Sequence, residues 1–309
     1  MLMFTQTETE GAAALKGEET ENSGNRVVKL LFKYNAVLLL VIMFIVACVL
    51  SEHFLSSGNM VNILRQQSTY MLVALGMLMV MLTGGIDLSV SSVVAVASIM
   101  VPYGLKVWGL QNEPWGLFVC VLVAIAMGFL FGAINGFLVA RLNMPAFIVT
   151  LAMMYAAKGV AYIITDANTI LLDTKVPAVE AFMGFSTGRL FGIPYEVFLM
   201  AIIVVIFFFI MHYTSFGRLI TATGSNEQAV QLAGINSRKY KFWAYTLCGA
   251  LCGIAGLLIA ARSGSATALT TQTNFDMTTI AAVVIGGASL KGGEGNVPMT
   301  VVGVFVLAV

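Results

Sequence analysis

The most constraining feature of this sequence is a series of apolar segments, each near the roughly 20 residues that a helix needs to cross a bilayer. The seven long segments span 35–51, 66–83, 88–104, 115–139, 145–165, 194–212 and 242–261. Two shorter apolar stretches, MTTIAAVVI and VPMTVVGVFVLAV, follow, and the second stops in mid-run. Because backbone groups in lipid must bond internally, such segments form helices. We predict an all-α, polytopic membrane protein, a helical bundle of about eight to ten transmembrane helices whose last span is incomplete.

Composition points to the same class. Of the 309 residues, 59% are hydrophobic and 10% are charged, whereas soluble domains carry about a quarter of charged residues. The net charge of +1 offers no basic surplus for nucleic acid. All four cysteines lie in apolar runs, and the pair Cys248 and Cys252 has no histidine or carboxylate beside it. We therefore predict no metal site and no nucleic-acid partner.

The N-terminal segment differs from the rest of the chain. Residues 1–34 are polar, rich in glutamate, and too poor in apolar groups to bury a core. A secretory signal would reach its apolar core sooner. We predict a largely disordered cytoplasmic tail over 1–34, followed by one membrane domain over 35–309 with glycine-broken helices.

Lysine and arginine favour cytoplasmic loops, so their distribution predicts orientation. With the N-terminus inside, nine cationic residues fall in the cytoplasm and five outside. The cytoplasmic set is Lys16, Arg26, Lys29, Lys33, Arg141, Arg218, Arg238, Lys239 and Lys241, against Arg65, Lys106, Lys175, Arg189 and Arg262. This orientation places the loop 166–193 outside and the polar segment after residue 220 inside.

Glycines at helical spacing predict close helix packing. One stripe consists of Gly128, Gly132 and Gly136, and another of Gly249, Gly253 and Gly256. Small residues at such spacing let helix backbones approach within a membrane. Asn135, beside the first stripe, either bonds to a neighbouring helix or faces a cavity.

A faint internal repeat accompanies these stripes. TGGIDLSVSS (83–92) resembles IGGASLKGGEG (285–295), with Gly-Gly followed by a leucine three residues on. Repeated, glycine-interrupted segments are typical of transporters. Whether the two copies are parallel or inverted depends on whether 277–290 spans fully, and the sequence leaves this open.

The sequence carries no catalytic motif. It lacks GxxxxGK[ST], HExxH and GxSxG, so we predict that the chain is not an enzyme and does not itself hydrolyse ATP. Uphill transport would then need an ion gradient or a separate subunit. Carriers driven by ions usually hold carboxylates within the membrane, whereas the acidic residues here lie near the ends of the predicted spans, which favours a separate ATPase.

The segment TATGSNEQAVQLAGINSRKYKFW (221–243) is a polar interruption between two spans. Ser225 with Gln228 three residues on predicts a capping box, Glu227 suits the first helical turn, and Gly234 suits a left-handed helix end. The apolar side chains of this short helix need the bundle or a partner's groove to cover them. An interfacial connector helix is the alternative.

Four blocks, TGGIDLSVSS, GFLFGAINGFLVARLNMPAFIVTLAMM, ATGSNEQAVQLAGINSRKYKFWAYTLCGALCGIAG and TTIAAVVIGGASLKGGEGN, resemble the ribose/galactose/xylose-type membrane permeases of bacterial ABC importers. The resemblance runs from about residue 35 to the end. This sequence differs from the family pattern in two places. It has Ser91 where members often have glycine, and the members usually continue past the segment GVFVLAV.

The resemblance implies a multi-pass subunit of the bacterial inner membrane. Its implied partners are cytoplasmic ATPases, a solute-binding protein, a second permease copy and lipid, with ATP used by the partner subunit and no cofactor bound here. It also implies that a cytoplasmic helix couples the permease to the ATPase. The residues that carry this role here are Ser225, Asn226, Glu227, Gln228, Ala229 and Gly234.

For the solute, the resemblance implies a monosaccharide, a ribose-like pentose or a hexose. The candidates for the pathway are Gly84, Gly85, Asp87, Ser89, Asn135 and Lys158. A simpler role for Asp87 is to cap a helix beginning at Leu88. A simpler role for Lys158 is to extend its charged end to the membrane surface. The alternatives within the same type of permease are carriers of a nucleoside, an autoinducer-type sugar or a branched-chain amino acid. A stand-alone ion-coupled carrier is the alternative of a different class.

Overall fold

The computed structural model describes residues 35–269 and 274–309. Within these ranges the chain forms twelve α-helices and two small pairs of strands. The helices are α1 (Asn35–Leu50), α2 (Ser57–Leu82), α3 (Val90–Lys106), α4 (Gly116–Ala140), α5 (Ala146–Thr165), α6 (Pro177–Thr187), α7 (Tyr195–Tyr213), α8 (Ser215–Ser225), α9 (Glu227–Leu232), α10 (Ser237–Ser263), α11 (Phe275–Ile285) and α12 (Val297–Val306). The predicted tail over 1–34 lies outside the described residues.

Each of the seven long apolar segments coincides with a helix, namely α1 to α5, α7 and α10. Of these, α4, α5, α7 and α10 are both long enough and apolar enough to cross a membrane. The helices α11 and α12 have 11 and 10 residues, about half the length of a span. The predicted fold class, a polytopic helical membrane protein, is confirmed.

Helix α2 forms the centre of the bundle. Every residue from Met71 to Leu82 is buried, and the apolar ones are at most 1% exposed. A helix that is apolar on all sides must be surrounded by other helices. The largest neighbours of α2 are α10, α7, α12 and α11, so α2 positions the residues that follow its end.

Helices α4 and α10 meet backbone to backbone. A Cβ on Gly132 would lie 3.0 Å from Gly249 Cα, and one on Gly249 would lie 2.8 Å from Gly132 Cα. Gly128 and Gly136 lie along the same contact, whereas Gly256 faces α3 instead, where its Cβ would lie 2.6 Å from Val94 O. Only glycine permits this approach, so the two stripes place α4, α10 and α3 in one tightly packed group.

The two ends of the bundle differ in structure, and we name them after residues of α10. At the Arg262 end, β1 (Ile170–Leu171) pairs antiparallel with β4 (Ser265–Ala266), and β2 (Arg189–Leu190) pairs with β3 (Ile193–Pro194). Helix α6 also lies in this region, where the sequence predicted only a loop over 166–193. The Ser237 end carries α8 and α9, which contact the start of α10.

Helices α2 and α11 end in turns of the same geometry. Gly84 has φ +80° and Gly287 has φ +83°, a left-handed conformation that glycine adopts without strain. The Gly84 amide donates to Met81 O at 2.9 Å, and the Gly287 amide donates to Val284 O at 2.8 Å. The sequence repeat matched Gly84 with Gly286, and the structure instead matches Gly84 with Gly287.

The two copies of this helix-and-turn unit run in the same direction. The ring of Tyr70, midway along α2, stacks on that of Phe275 at the start of α11, with centroids 4.5 Å apart. At the other end, Gly293 N, which follows the second turn, donates to Leu82 O at 3.0 Å. The orientation that the sequence left open is therefore parallel for these two units.

Candidate functional site

The polar segment after α7 forms two short helices that meet at Asn226. Ser225 is the last residue of α8, and Asn226 is the N-cap of α9, with Oδ1 accepting the Ala229 amide at 3.0 Å. The predicted capping box on Ser225 is therefore wrong by one residue, because α8 extends further than the polar sequence suggested. Gly234 closes α9 with φ +78°, as expected.

Glu227 ties α9 to the start of α10. Its Oε2 accepts from Lys241 Nζ at 2.6 Å, and its Oε1 accepts from Ser237 Oγ at 2.9 Å. Partial burial acts to raise the pKa of Glu227. The hydrogen bonds from Lys241 and Ser237 and the positive charges of Lys241 and Arg238 outweigh this effect and lower the pKa below its ordinary value. The carboxylate is thus held ionised, and its bonds join α9 to the start of α10.

The apolar side chains of α9 divide between two environments. Val230 packs on the bundle and is 7% exposed, whereas Leu232 is 90% exposed. Gln228, Ala229 and Ala233 are exposed as well. An apolar side chain projecting from a short charged segment is typical of a docking surface. We call the exposed residues Gln228, Ala229, Leu232 and Ala233 the α9 face.

The end of α8 lies against the first glycine turn and against the loop that follows the second. Gly224 packs on Leu82 O, and a Cβ there would lie 2.8 Å from Gly293 N. A Cβ on Gly292 would lie 2.8 Å from Gly84 N and 3.1 Å from Gly224 Cα. Backbone atoms therefore touch directly between α8, the end of α2 and the loop after α11. Side chains cannot rearrange to absorb a displacement at such a contact.

Beyond the first turn lies a closed polar cluster. Asp87 Oδ1 accepts from Ser89 N at 2.9 Å and from Ser89 Oγ at 2.6 Å, and Asn135 Nδ2 donates to Ser89 Oγ at 2.9 Å. All three residues are at most 2% exposed. Helix α3 begins at Val90 with Ser89 as its N-cap, so the predicted helix start at Leu88, with Asp87 as the cap, is wrong by two residues. These pathway candidates bond to one another, and their role in the pathway stays a prediction.

Lys158 lines an open cavity of about 370 Å³ between α3, α5 and the start of α11. The other polar groups of its wall are Ser91, Ser92, Tyr155, Asn274 and Asp276. Of these groups, sequence reasoning named only Lys158 as a pathway candidate. It missed Asp276 and Asn274, because only the tertiary fold brings the start of α11 to the same cavity wall as α3 and α5. Gly84 is exposed and Gly85 buried, and both lie in the turn next to the polar cluster.

A partly buried ion pair joins three elements at the Arg262 end. Arg65 Nε donates to Glu196 Oε1 at 2.7 Å, and Ser186 Oγ donates to the same oxygen at 2.8 Å. Glu196 is 0% exposed, although the sequence placed it at the end of a span. Arg262 donates to Thr69 Oγ1 at 2.6 Å. These bonds fix α2, α6, α7 and α10 relative to one another.

Comparison with known proteins identifies the family. A family profile described as "Branched-chain amino acid transport system / permease component" matches residues 59–309. The ribose import permease protein RbsC of Escherichia coli (strain K12) is 37% identical over 277 residues, covering 90% of this chain and 84% of that protein. The fructose import permease protein FruF of Bifidobacterium longum (strain NCC 2705) is 33% identical, covering 94% and 83%.

The L-arabinose transport system permease protein AraH of Escherichia coli (strain K12) is 32% identical, covering 89% of this chain and 80% of that protein. No solved structure matches the chain. The relatives are permeases, and the resemblance predicted from the four sequence blocks is confirmed. Together with the polytopic helical fold, these matches show that the chain belongs to the family of transport-system permease components.

Proposed function

We propose that this chain is the membrane permease subunit of an ABC importer that moves a monosaccharide, a pentose or a hexose, into the cell. The observation that carries the proposal is that relatives covering most of the chain are named as ribose, fructose and L-arabinose permeases. The family description names branched-chain amino acids, so the solute class needs a second argument.

The open cavity supplies that argument. Its wall offers hydroxyl groups from Ser91, Ser92 and Tyr155 and charged groups from Lys158 and Asp276. A sugar presents hydroxyls around its whole ring, and each of them both donates and accepts hydrogen bonds. The aliphatic side chain of a branched-chain amino acid forms no hydrogen bonds with these groups, so only its ammonium and carboxylate groups would be bound here. The lining therefore favours a polyhydroxylated solute.

We further propose that the Ser237 end faces the cytoplasm of a bacterial cell and that the described chain begins there. Arg141, Arg218, Arg238, Lys239 and Lys241 lie in or next to the loops of this end, as cationic residues do on the cytoplasmic side. In this orientation the α9 face meets a partner ATPase, which binds and hydrolyses ATP. The Arg262 end faces the solute-binding protein, and a second permease copy completes the pathway.

The contacts suggest how force would reach the solute. Movement of α9 displaces α10 through Glu227 and Lys241, and it displaces the end of α8. Because Gly224 touches Leu82 O and the Gly293 amide directly, the displacement passes to the first glycine turn and to the loop that follows the second. The first turn continues into Asp87 and Ser89, so its movement changes the polar cluster at the start of α3.

The decisive experiment combines purification with uptake. The chain is purified from native membranes with its bound ATPase and solute-binding protein, and the complex is reconstituted in liposomes. We expect ATP-dependent uptake of D-ribose, D-fructose or L-arabinose and no uptake of leucine. ATP-dependent uptake of leucine, of a nucleoside or of an autoinducer-type sugar would overturn the solute class. Uptake driven by an ion gradient without the ATPase would overturn the ABC assignment.

A further inference from the structure

Two buried polar atoms, one in the closed polar cluster and one in α10, have no hydrogen-bond partner among the described residues. Among residues 35–269 and 274–309, neither the hydroxyl of Tyr245 nor Oδ1 of Asn135 forms a hydrogen bond. Both residues are 0% exposed, so bulk water does not satisfy these atoms. Buried polar groups in proteins are nearly always paired, and each exception calls for an explanation.

The two atoms belong to one small region. The Tyr245 hydroxyl touches Gly85, where an added Cβ would collide with it, and Gly85 lies two residues before Asp87. Asn135 is bound through its amide nitrogen to Ser89 at 2.9 Å. The carbonyl oxygen of Asn135 is the atom that has no hydrogen-bond partner among the described residues. The first glycine turn therefore covers a set of polar groups that lies between α3, α4 and α10.

The unpaired hydroxyl lowers the stability of this conformation, since a buried donor without a partner loses its hydrogen bonds to water and gains none in return. Replacing it with hydrogen would stabilise the closed conformation or leave it unchanged. Removal of a buried hydroxyl that does form a hydrogen bond destabilises the fold instead. Thr246, the next residue in α10, is also 0% exposed, and its hydroxyl donates to Phe242 O at 2.8 Å.

We propose that Tyr245 Oη and Asn135 Oδ1 bind hydroxyl groups of the solute when the first glycine turn moves away from them. Tyr245 Oη donates and accepts, Asn135 Oδ1 accepts, and the Asp87 carboxylate beside them accepts further solute hydroxyls. A polyhydroxylated solute satisfies these groups together, whereas an aliphatic solute satisfies none. This inference rests on the proposed function and names Tyr245 as a binding residue of the same pathway.

The test compares Tyr245→Phe with Thr246→Val in the reconstituted complex of permease, ATPase and binding protein. The probes are D-ribose, D-fructose and L-arabinose, and the readouts are the uptake KM and the thermal unfolding of the purified permease. We expect Y245F to unfold at the same or a higher temperature and to raise the KM by about tenfold, as the loss of one hydrogen bond to the solute would. T246V should unfold at a lower temperature and keep its KM.

Two results would overturn the inference. If Y245F unfolds at a lower temperature and its KM is unchanged, the hydroxyl has a structural partner, such as an internal water. If Y245F takes up every probe with the wild-type KM at an unchanged unfolding temperature, the hydroxyl does not meet the solute. Failure of the proposed function has a separate signature, because the wild-type complex would then import none of the three sugars.

Discussion

The amide of Gly293 donates a hydrogen bond of 3.0 Å to the carbonyl oxygen of Leu82. This bond joins the end of the central helix α2 to the loop after α11, and the end of α8 packs on the same carbonyl through Gly224. Three elements that are distant in sequence therefore meet at one peptide oxygen. The arrangement makes the contact sensitive to the addition of a single carbon atom.

Gly224→Ala tests this contact. The new Cβ would collide with Leu82 O, so the end of α8 must shift or the Gly293 bond must lengthen, at a cost of about 1–3 kcal/mol. We expect ATP-driven uptake to fall more than the ATPase activity of the complex. Gly159→Ala, in α5, is the matched control because an added Cβ meets nothing within 4 Å. Equal behaviour of the two variants in uptake would contradict the transmission route.

Leu232→Asp tests the α9 face. The side chain is 90% exposed, so the substitution should change the free energy of unfolding by less than about 0.5 kcal/mol. We expect the purified variant to lose its ATPase subunit in a pull-down assay. Phe191→Asp is the control, since Phe191 is 92% exposed and lies at the Arg262 end. Retention of the ATPase by L232D would show that it docks elsewhere.

Glu227→Gln should remove a pH-dependent part of the stability. The folded-state pKa of Glu227 is lowered from its ordinary value of 4.5, so its ion pair stabilises the fold above that pH. The stabilisation is lost as the pH falls through the lowered pKa. Because the side chain is 35% exposed, solvent screening limits the effect to about 0.5 kcal/mol.

Thermal unfolding of the wild type and E227Q between neutral pH and pH ~3 measures this difference. We expect the two unfolding temperatures to differ at neutral pH and to converge in acid. Glu180→Gln, at an exposed position in α6, serves as the control and should follow the wild type throughout. If the difference between the two unfolding temperatures grew as the pH falls, the pKa of Glu227 would not be lowered in the folded state.

Arg65→Leu should be strongly destabilising. Its removal leaves the Glu196 carboxylate, which is 0% exposed, without its ion-pair partner, at a cost of about 3 kcal/mol. The double variant Arg65→Leu with Glu196→Leu should recover much of this loss, because neither charge is then buried alone. Unfolding in detergent measures both variants. Equal stability of the single and double variants would indicate that Glu196 is satisfied by other groups.

Local sequence patterns predicted the long helices well. The apolar segments predicted α1 to α5, α7 and α10, because the length and the hydrophobicity of a segment can be read directly from the sequence. Helix α6 was missed, since its 11 residues lack a long apolar run. The boundary between α8 and α9 was misplaced by one residue, because Ser225 and Asn226 are both good capping residues and packing of α8 decides between them.

The site was less predictable than the helices. Asp87, Ser89 and Asn135 were each suspected separately, and the bond between Ser89 and Asn135 spans 46 residues. Tyr245 gave no sequence signal, because an aromatic residue in an apolar span is ordinary. Its unpaired hydroxyl becomes visible only when α3, α4 and α10 are packed together. The contact of Gly224 with Leu82 is likewise a product of tertiary packing.

The complete enclosure of α2 has a consequence for how this protein responds to its bilayer. From Met71 to Leu82 the helix presents no side chain to lipid, whereas Ile163 in α5 and Val205 in α7 are 81% and 65% exposed. Changes in acyl-chain length or order therefore act first on the outer helices. Such changes reach the central helix and the turn that follows it only through the helices that surround them.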